Sequence, residues 1–215
     1  MHYLIANFPQ IAQLFIQHLR LTGITLGFAF LLALPMGLLA VRIKRLQGPI
    51  LGILGVIYTI PSLSLFVLLI PILGLGATPA IVALVAYAQL MLVRNIVVGL
   101  TGIDPWIIEA ARGMGMNNWQ LFWRVELPLA MPLILAGTRL ATISIIGIGT
   151  IAAYINAGGL GVLLFEGVTN NNSQEILAGS IAVSVLAIAA NILLRFLEHR
   201  AELAVHGEES FKQQT

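Results

Sequence analysis

A long uncharged stretch dominates this sequence. From Leu46 to Val93 the chain carries no Asp, Glu, Lys or Arg. A helix that crosses the hydrocarbon core of a bilayer needs about 20 predominantly apolar residues, so this stretch is too long for a single crossing. Four residues that disfavour helix interrupt it, namely Pro71, Gly74, Gly76 and Pro79. The pattern therefore predicts two spans, over residues 49–70 and 79–93.

Three further apolar runs are long enough to cross a membrane. They cover residues 21–41, 129–153 and 176–194, and only Arg139 interrupts them. Across the chain 59% of residues are hydrophobic and 9% are charged, where a soluble domain carries about 25% charged residues. This composition excludes nucleic-acid-binding proteins and most soluble enzymes. The fold class predicted is an all-α polytopic membrane protein with five transmembrane helices.

The basic residues predict the orientation of these spans, because cytoplasmic loops are enriched in Lys and Arg. If the first loop is cytoplasmic, only Arg20 lies outside. The residues that then lie on the cytoplasmic side are Arg42, Lys44, Arg45, Arg94, Arg112, Arg124, Arg195, Arg200 and Lys212. We therefore expect the N-terminus outside and the C-terminus inside.

The two ends of the chain differ from the spans. Residues 1–20 place apolar side chains at helical spacing with Gln and His between them, and no cleavable signal peptide is evident. This N-terminal segment is predicted either to lie on the outer surface as an amphipathic helix or to extend the first span. Residues 198–215 are predicted to form a cytoplasmic tail, in which a helix end is followed by disorder. The membrane-spanning domain is expected over 21–197.

The largest polar excursion is the loop over residues 94–128. Asp104 followed by Pro105 predicts a helix start, since Asp accepts from free backbone N–H groups and Pro fits the first helical position. Gly113 and Gly115 are expected to end that helix and to permit close approach of another backbone. Asn117 or Asn118 then predicts the cap of a second short helix, which ends near Pro128. We expect this helix–turn–helix to lie along the membrane.

One motif in this loop resembles a known family. Glu109-Ala110-Ala111, three residues, Gly115, nine residues and Val125-Glu126-Leu127-Pro128 resemble the EAA signature of ABC importer permeases, with Val125 where the signature has Ile. The resemblance implies the type I importer, MetI-like permease fold, in which this loop docks on a cytoplasmic ATPase subunit. It also implies a multi-pass location in the cytoplasmic (inner) membrane of a bacterium or archaeon. The residues implied in this ATPase coupling are Glu109, Ala110, Ala111, Gly113, Gly115 and Met116. The alternative is an interfacial helix that only anchors the loop in lipid headgroups.

Motifs elsewhere are similar to those of the quaternary-amine, or osmoprotectant, permeases. They are Thr59-Ile60-Pro61-Ser62-Leu63, Ile70–Gly76, Pro79–Leu84, Arg94-Asn95, Ala136-Gly137-x-Arg139 and Gly158-Gly159-Leu160-Gly161. The likeness implies import of glycine betaine, choline, carnitine or a related compound. It implies as partners two copies of an ABC ATPase, a second permease copy or paralogue, and an extracytoplasmic substrate-binding protein. Methionine-type permeases share the five-span plan and remain an alternative.

The residues for other chemistry are missing from the sequence. The chain has no Cys and no Gly-x4-Gly-Lys-Ser/Thr phosphate loop, and its four His lie near the termini. We therefore expect no catalytic residues, no cofactor and no metal, with ATP hydrolysis on a separate subunit. No acidic residue lies inside a predicted span, which argues against a proton-coupled secondary carrier working without ATP.

A few residues within the spans are candidates for the translocation path or a subunit interface. Pro61 is expected to kink the second span. Tyr58, Tyr87 or Tyr154 could offer aromatic faces to a quaternary ammonium, although roles as interfacial or core aromatics explain them better. Arg139 is expected to face protein or water, either on the path or interface or as a structural residue. Five glycines predict a re-entrant outer turn, namely Gly147, Gly149, Gly158, Gly159 and Gly161. The loop Asn156–Glu175 is either a docking surface for a binding protein or a solvated loop without a partner.

Overall fold

A computed structural model of the chain describes residues 7–206, and the description below refers to these residues. Nine α-helices follow one another in this range, joined by short turns. They are α1 (Phe8–Arg42), α2 (Lys44–Thr59), α3 (Ser62–Leu73), α4 (Ala77–Thr101), α5 (Pro105–Gly113), α6 (Asn118–Leu121), α7 (Leu127–Ile151), α8 (Gly161–Thr169) and α9 (Ser173–His206). A π-helix over Phe122–Glu126 precedes α7, and a 3-10 turn over Ala152–Ile155 follows it.

Five membrane spans can be assigned to these helices. Four of them, α1, α4, α7 and α9, are long and apolar enough to cross a bilayer. The pair α2 and α3 meets that requirement together, but its two helices are bent by 95° at the break between them. The prediction of an all-α polytopic membrane fold is confirmed, with five spans when the bent pair is counted as one.

The second span differs from its prediction as one kinked helix over 49–70. It is broken at Ile60 and Pro61, whose backbones are extended, with ψ of 131° and 130°. Proline causes the break because it has no N–H to donate and its ring excludes the residue before it from helical conformation. The two halves have 16 and 12 residues, or about 24 Å and about 18 Å of helix. Neither half alone spans a hydrocarbon core of about 30 Å.

The other helices run past the apolar windows from which they were predicted. Residues 8–20 continue α1 without interruption, so this part of the N-terminal segment extends the first span, while residues 1–6 lie outside the described range. The last helix reaches His206 and includes the first part of the expected tail, 198–215; residues 207–215 are not described. Residues 94–101, expected in the loop, belong to α4. Hydropathy marks the membrane core, and helical hydrogen bonds continue beyond it.

The central helix of the bundle is α4, which packs against α1, α2, α3 and α7. Close approach depends on glycines that face it: a Cβ on Gly37 would lie 2.5 Å from Ile96 Cγ2, and one on Gly137 would lie 2.5 Å from Asn95 Cβ. Lipid tails are as apolar as Leu, so helices in a membrane associate through close packing of this kind. Because α4 and α7 run in opposite directions, the loop after α4 and the turn after α7 lie at opposite ends of the bundle.

Candidate coupling segment and membrane path

The helix α5 carries the Glu-Ala-Ala motif and begins as the sequence predicts. The Asp104 carboxylate accepts a hydrogen bond from the Trp106 backbone N–H at 2.9 Å, and Pro105 occupies the first turn. A carboxylate at this position satisfies one of the N–H groups that the first turn of a helix leaves free. The start of α5 is therefore fixed locally, by residues next to it in sequence.

The end of α5 explains the spacing of the motif. Gly115 has a φ of +81°, a conformation that residues with a Cβ rarely adopt. This turn lets the Met116 N–H donate to the Ala111 carbonyl at 3.3 Å and the Gly115 N–H donate to the Arg112 carbonyl at 2.9 Å. These two bonds form a Schellman motif, in which the left-handed glycine stands four residues after the carbonyl that accepts the longer-range bond. The distance from Ala111 to Gly115 is thus set by the helix ending.

The residues implied in coupling divide between two environments. Ala111 is buried, with 2% of its surface exposed, and Met116 is half-buried. Glu109, Ala110, Gly113 and Gly115 are exposed. Among the described residues the Glu109 carboxylate has no ion pair or hydrogen bond. The helix therefore packs against the protein through Ala111 and presents Glu109 and Ala110 outwards.

The second short helix begins as predicted and ends differently. Asn117 accepts from the Gln120 N–H at 2.9 Å, and Gln120 Oε1 accepts from the Asn117 N–H at 3.0 Å, which completes a capping box. The predicted end near Pro128 is wrong, because α6 passes through the π-helix directly into α7. Pro128, which has no N–H to donate, lies in the first turn of α7 directly after the π-helix.

Residues 104–117 are called the coupling segment below. Aromatic side chains lie on and beside it, on its exposed side. Trp106 and Trp119 are 76% and 71% exposed. The Trp119 and Phe122 rings each pack edge-on against Trp123, with centroids 5.4 Å and 5.3 Å away. Exposed aromatic side chains of this kind are typical of membrane–water interfaces and of protein interfaces. The segment thus offers an apolar surface next to an unpaired carboxylate.

The tyrosines considered for the path have different partners. Tyr87 is buried, and its O–H donates to the Ile60 carbonyl at 2.6 Å, in the break before Pro61. Tyr58 is half-buried and packs edge-on against Tyr87, with ring centroids 5.9 Å apart. Tyr154 instead packs against a phenylalanine of α8. Tyr87 therefore satisfies a backbone group freed by the proline, and the three tyrosines do not meet at one site.

Arg139 is paired with an acid that the sequence placed in the tail. Its Nε donates to Glu198 Oε2 at 2.8 Å, and its Nη1 lies 3.4 Å from Asn191 Oδ1. The two charged side chains are 26% and 17% exposed. They line an open groove of about 780 Å³ along the final helix. The pair links α7 to α9 and neutralises the one charge found inside a predicted span.

Comparisons with known proteins identify the family. Residues 11–203 match the family of binding-protein-dependent transport system inner membrane components. The chain belongs to this family. The resemblance to ABC importer permeases is thereby confirmed, together with location in the inner membrane as a multi-pass component.

Known relatives align with most of the permease sequence. The osmoprotectant import permease protein OsmW of Salmonella typhimurium is 40% identical over 92% of this chain and 94% of its own length. The carnitine transport permease protein OpuCB of Listeria monocytogenes is 42% identical over 86% of this chain and 84% of its own. The choline transport system permease protein OpuBB of Bacillus subtilis is 38% identical over 86% of this chain and 85% of its own.

Solved structures support the same fold. A chain of the MetNI methionine ABC transporter in an inward-facing conformation superposes with a TM-score of 0.80 at 21% identity, and the match covers 94% of the permease and 99% of that chain. A chain of an amino acid ABC transporter crystallised with histidines gives a TM-score of 0.71 at 21% identity, covering 91% of the permease and 97% of that chain. The MetI-like fold predicted from the sequence is therefore confirmed.

Sequence reasoning missed several polar residues that join helices of the permease. Asn191 and Glu198 hold Arg139, and Gln17 and His18 on α1 bond to the turn after α7. The sequence carries no sign of these contacts, because the partners of each side chain are far away along the chain. Within residues 7–206 no three His, Cys, Asp or Glu side chains are grouped to hold a metal ion.

Proposed function

We propose that this permease forms the membrane path of an ATP-driven importer for quaternary-amine osmoprotectants such as glycine betaine, carnitine or choline. The observation that carries the substrate class is the set of relatives named above, which are osmoprotectant, carnitine and choline permeases at 38–42% identity over most of both chains. The permease has no catalytic role of its own in this proposal, and a separate ATPase subunit hydrolyses ATP.

The coupling segment supports the link to an ATPase. An outward-facing Glu109 and Ala110 on a helix fixed at both ends make a rigid element that a groove on a partner can receive. In the proposal this element docks on the ATPase through Glu109, Ala110, Ala111, Gly113, Gly115 and Met116. Two ATPase copies act on two permeases, which are two copies of this chain or a copy and a paralogue.

The orientation follows from the same proposal. The coupling segment faces the cytoplasm, as the distribution of Lys and Arg predicts, and the N-terminus faces outwards. The turn after α7 then lies at the outer surface, where an extracytoplasmic binding protein delivers substrate. Tyr58, Pro61 and Arg139 are proposed to lie beside the path or at the interface between permeases.

A methionine importer is the main competing function. The likeness to the methionine transporter is one of fold, because the two chains are 21% identical. Uptake of labelled glycine betaine, choline, carnitine and methionine, each measured in cells that lack their own transporters for these solutes, separates the two. The chain is expressed with its ATPase and binding-protein partners. Uptake of a quaternary amine that requires all components is expected, whereas uptake of methionine alone would overturn the substrate assignment.

Reversal of one charge tests the coupling role. Glu109→Arg is expected to abolish uptake and to reduce recovery of the ATPase subunit with the tagged permease, while insertion in the membrane stays normal. Glu166→Arg is the matched control, because Glu166 is also exposed but lies on α8, near the opposite end of the bundle. That control should retain the ATPase. Wild-type recovery of the ATPase and wild-type uptake with Glu109→Arg would contradict the assignment.

A further inference from the structure

Two neighbouring side chains on α1 bond to a turn that lies more than a hundred residues away in the sequence. Gln17 Oε1 accepts a hydrogen bond from the Gly159 N–H at 3.2 Å. His18 Nδ1 accepts from the Leu160 N–H at 3.3 Å, and its Nε2 lies 3.2 Å from the Ile146 carbonyl oxygen. His18 has no exposed surface. We call these two residues the α1 clamp.

The partners of His18 fix the state of its ring. A ring nitrogen that accepts from a backbone N–H carries no hydrogen, so Nδ1 is unprotonated and Nε2 holds the hydrogen that it donates to the Ile146 carbonyl. Both nitrogens of a neutral imidazole are thus used. The ring holds α7 and the following turn together, and neither nitrogen is left for another partner.

The turn is shaped around the clamp. Gly158 and Gly159 have φ values of +77° and +81°. A Cβ on Gly158 would lie 2.8 Å from Gln17 Oε1, and one on Gly159 would lie 2.9 Å from His18 Nδ1. Both positions thus require glycine for conformation and for space.

A second bond ties the same region to another helix. The Gly76 N–H, just before α4, donates to the Ile155 carbonyl at 2.8 Å. The turn over residues 156–160 is therefore anchored to α1 directly and is joined through Ile155 to the start of α4. Within the turn Asn156 is exposed, and Tyr154 just before it is 61% exposed, so this region has a surface that a partner can reach.

The helix α1 is longer than a membrane crossing requires. The apolar run 21–41 alone provides about 31 Å of helix, enough for the hydrocarbon core. The preceding residues of α1 extend past this run and pack Ile11 and Leu14 with Leu160 and Leu163. The extension thus covers the turn and the helix that follows it.

We propose that Gln17 and His18 are positioning residues that hold the turn 156–160 in the shape that the extracytoplasmic binding protein recognises. This inference rests on the proposed function and orientation given above. His18 is buried beneath the turn and acts through it. Gln17 is itself exposed and supports the turn through its side-chain oxygen. Loss of the clamp weakens productive docking of the binding protein and leaves the ATPase end of the permease unaltered.

The experiment uses the complete importer in lipid nanodiscs, with ATP hydrolysis measured against the concentration of binding protein loaded with glycine betaine. His18→Ala and Gln17→Ala are expected to raise the half-maximal concentration of binding protein by about threefold to tenfold, the range expected for one or two lost hydrogen bonds. Hydrolysis without binding protein stays within twofold of wild type. Gln13→Ala is the control, since Gln13 lies one turn earlier, is exposed, and should change neither quantity.

Conservative variants separate positioning from general packing. His18→Asn can keep an acceptor near the Nδ1 position and is expected to restore docking, whereas His18→Gln keeps only a donor near the Nε2 position and is expected to restore less. Because the chain contains no Cys, Ala157→Cys gives a unique site for a membrane-impermeant maleimide. Gln17→Ala should accelerate its labelling severalfold, and this measurement remains available if His18→Ala does not assemble.

The possible results distinguish the clamp from the importer assignment. An unchanged half-maximal concentration and unchanged labelling with Gln17→Ala, in an importer whose wild type responds to binding protein, would overturn the positioning role alone. A wild-type complex that hydrolyses ATP without any response to binding protein would instead overturn the proposed function on which it rests.

Discussion

Replacement of Gly115 by Ala tests how α5 ends. No atom lies within 4 Å of a Cβ built on Gly115, so the substitution causes no clash and acts on the backbone alone. At a φ of +81° a residue with a Cβ costs about 1–2 kcal/mol. The strain is present only while the two terminal hydrogen bonds to the Ala111 and Arg112 carbonyls are formed, so it destabilises the closed helix end. The open state of the helix end should become about 5–30 times more populated.

Hydrogen exchange of the whole importer, followed by mass spectrometry, measures this opening directly. The amides of Met114, Gly115 and Met116 are all bonded at the end of α5 and should exchange faster in Gly115→Ala by that factor. Gly113→Ala is the matched comparison: Gly113 also has open space around its Cβ position but belongs to the helix. There Ala is favoured over Gly by about 0.5–1 kcal/mol, so exchange should slow.

The two glycines should therefore respond in opposite directions to the same added methyl group. Gly115→Asn should fall between wild type and Gly115→Ala, because Asn tolerates the left-handed region better than Ala. Equal exchange in Gly115→Ala and wild type, or acceleration of the same size in Gly113→Ala, would refute the explanation of the Glu-Ala-Ala-x3-Gly spacing as a helix ending.

Substitutions test three other contacts described above. Arg139→Ala and Glu198→Ala should each lower the free energy of unfolding, measured by thermal melting, by about 1–3 kcal/mol, and the double variant should lower it by less than the sum of the two. An additive result in this double-mutant cycle would show that the two side chains do not interact. Tyr87→Phe should cost about 1 kcal/mol by leaving the carbonyl before the proline break unpaired, while Tyr58→Phe, compared in the same melting assay, should cost nothing. Asp104→Ala should cost about 1 kcal/mol at the start of α5, seen as faster amide exchange in its first turn; unchanged exchange would deny the cap.

Local signals in the sequence predicted much of the coupling segment. Asp104, Asn117 and Gly115 act through hydrogen bonds to residues within three positions, and such bonds follow from residue type and spacing. The number of spans also followed from hydropathy, since the bilayer sets a minimum apolar length. These features depend on neighbours in the chain, which a sequence displays.

Features that depend on distant partners were missed or only partly foreseen. Pro61 predicted a kink, but it predicted neither a 95° break nor the hydrogen bond from Tyr87 to the Ile60 carbonyl within it, because nothing in the sequence joins these residues. His18 and Glu198 fell outside the predicted spans because apolar windows end before the helices do. The contacts of both side chains arise only when the bundle is assembled.

One helical path connects the two ends of the bundle. From Asn118 to Ile155 the chain stays helical for 38 residues, which gives a rod about 57 Å long at about 1.5 Å per residue. Its first turn follows the coupling segment, and its last residue adjoins the clamped turn. A rigid rod that pivots by about 10° at its middle moves each tip by about 5 Å, in opposite directions. Because hydrogen bonds hold the far end of this rod to α1, a force applied at the coupling segment has two possible effects. It either tilts the whole rod, so that both ends move, or bends the rod at its π-helical turn.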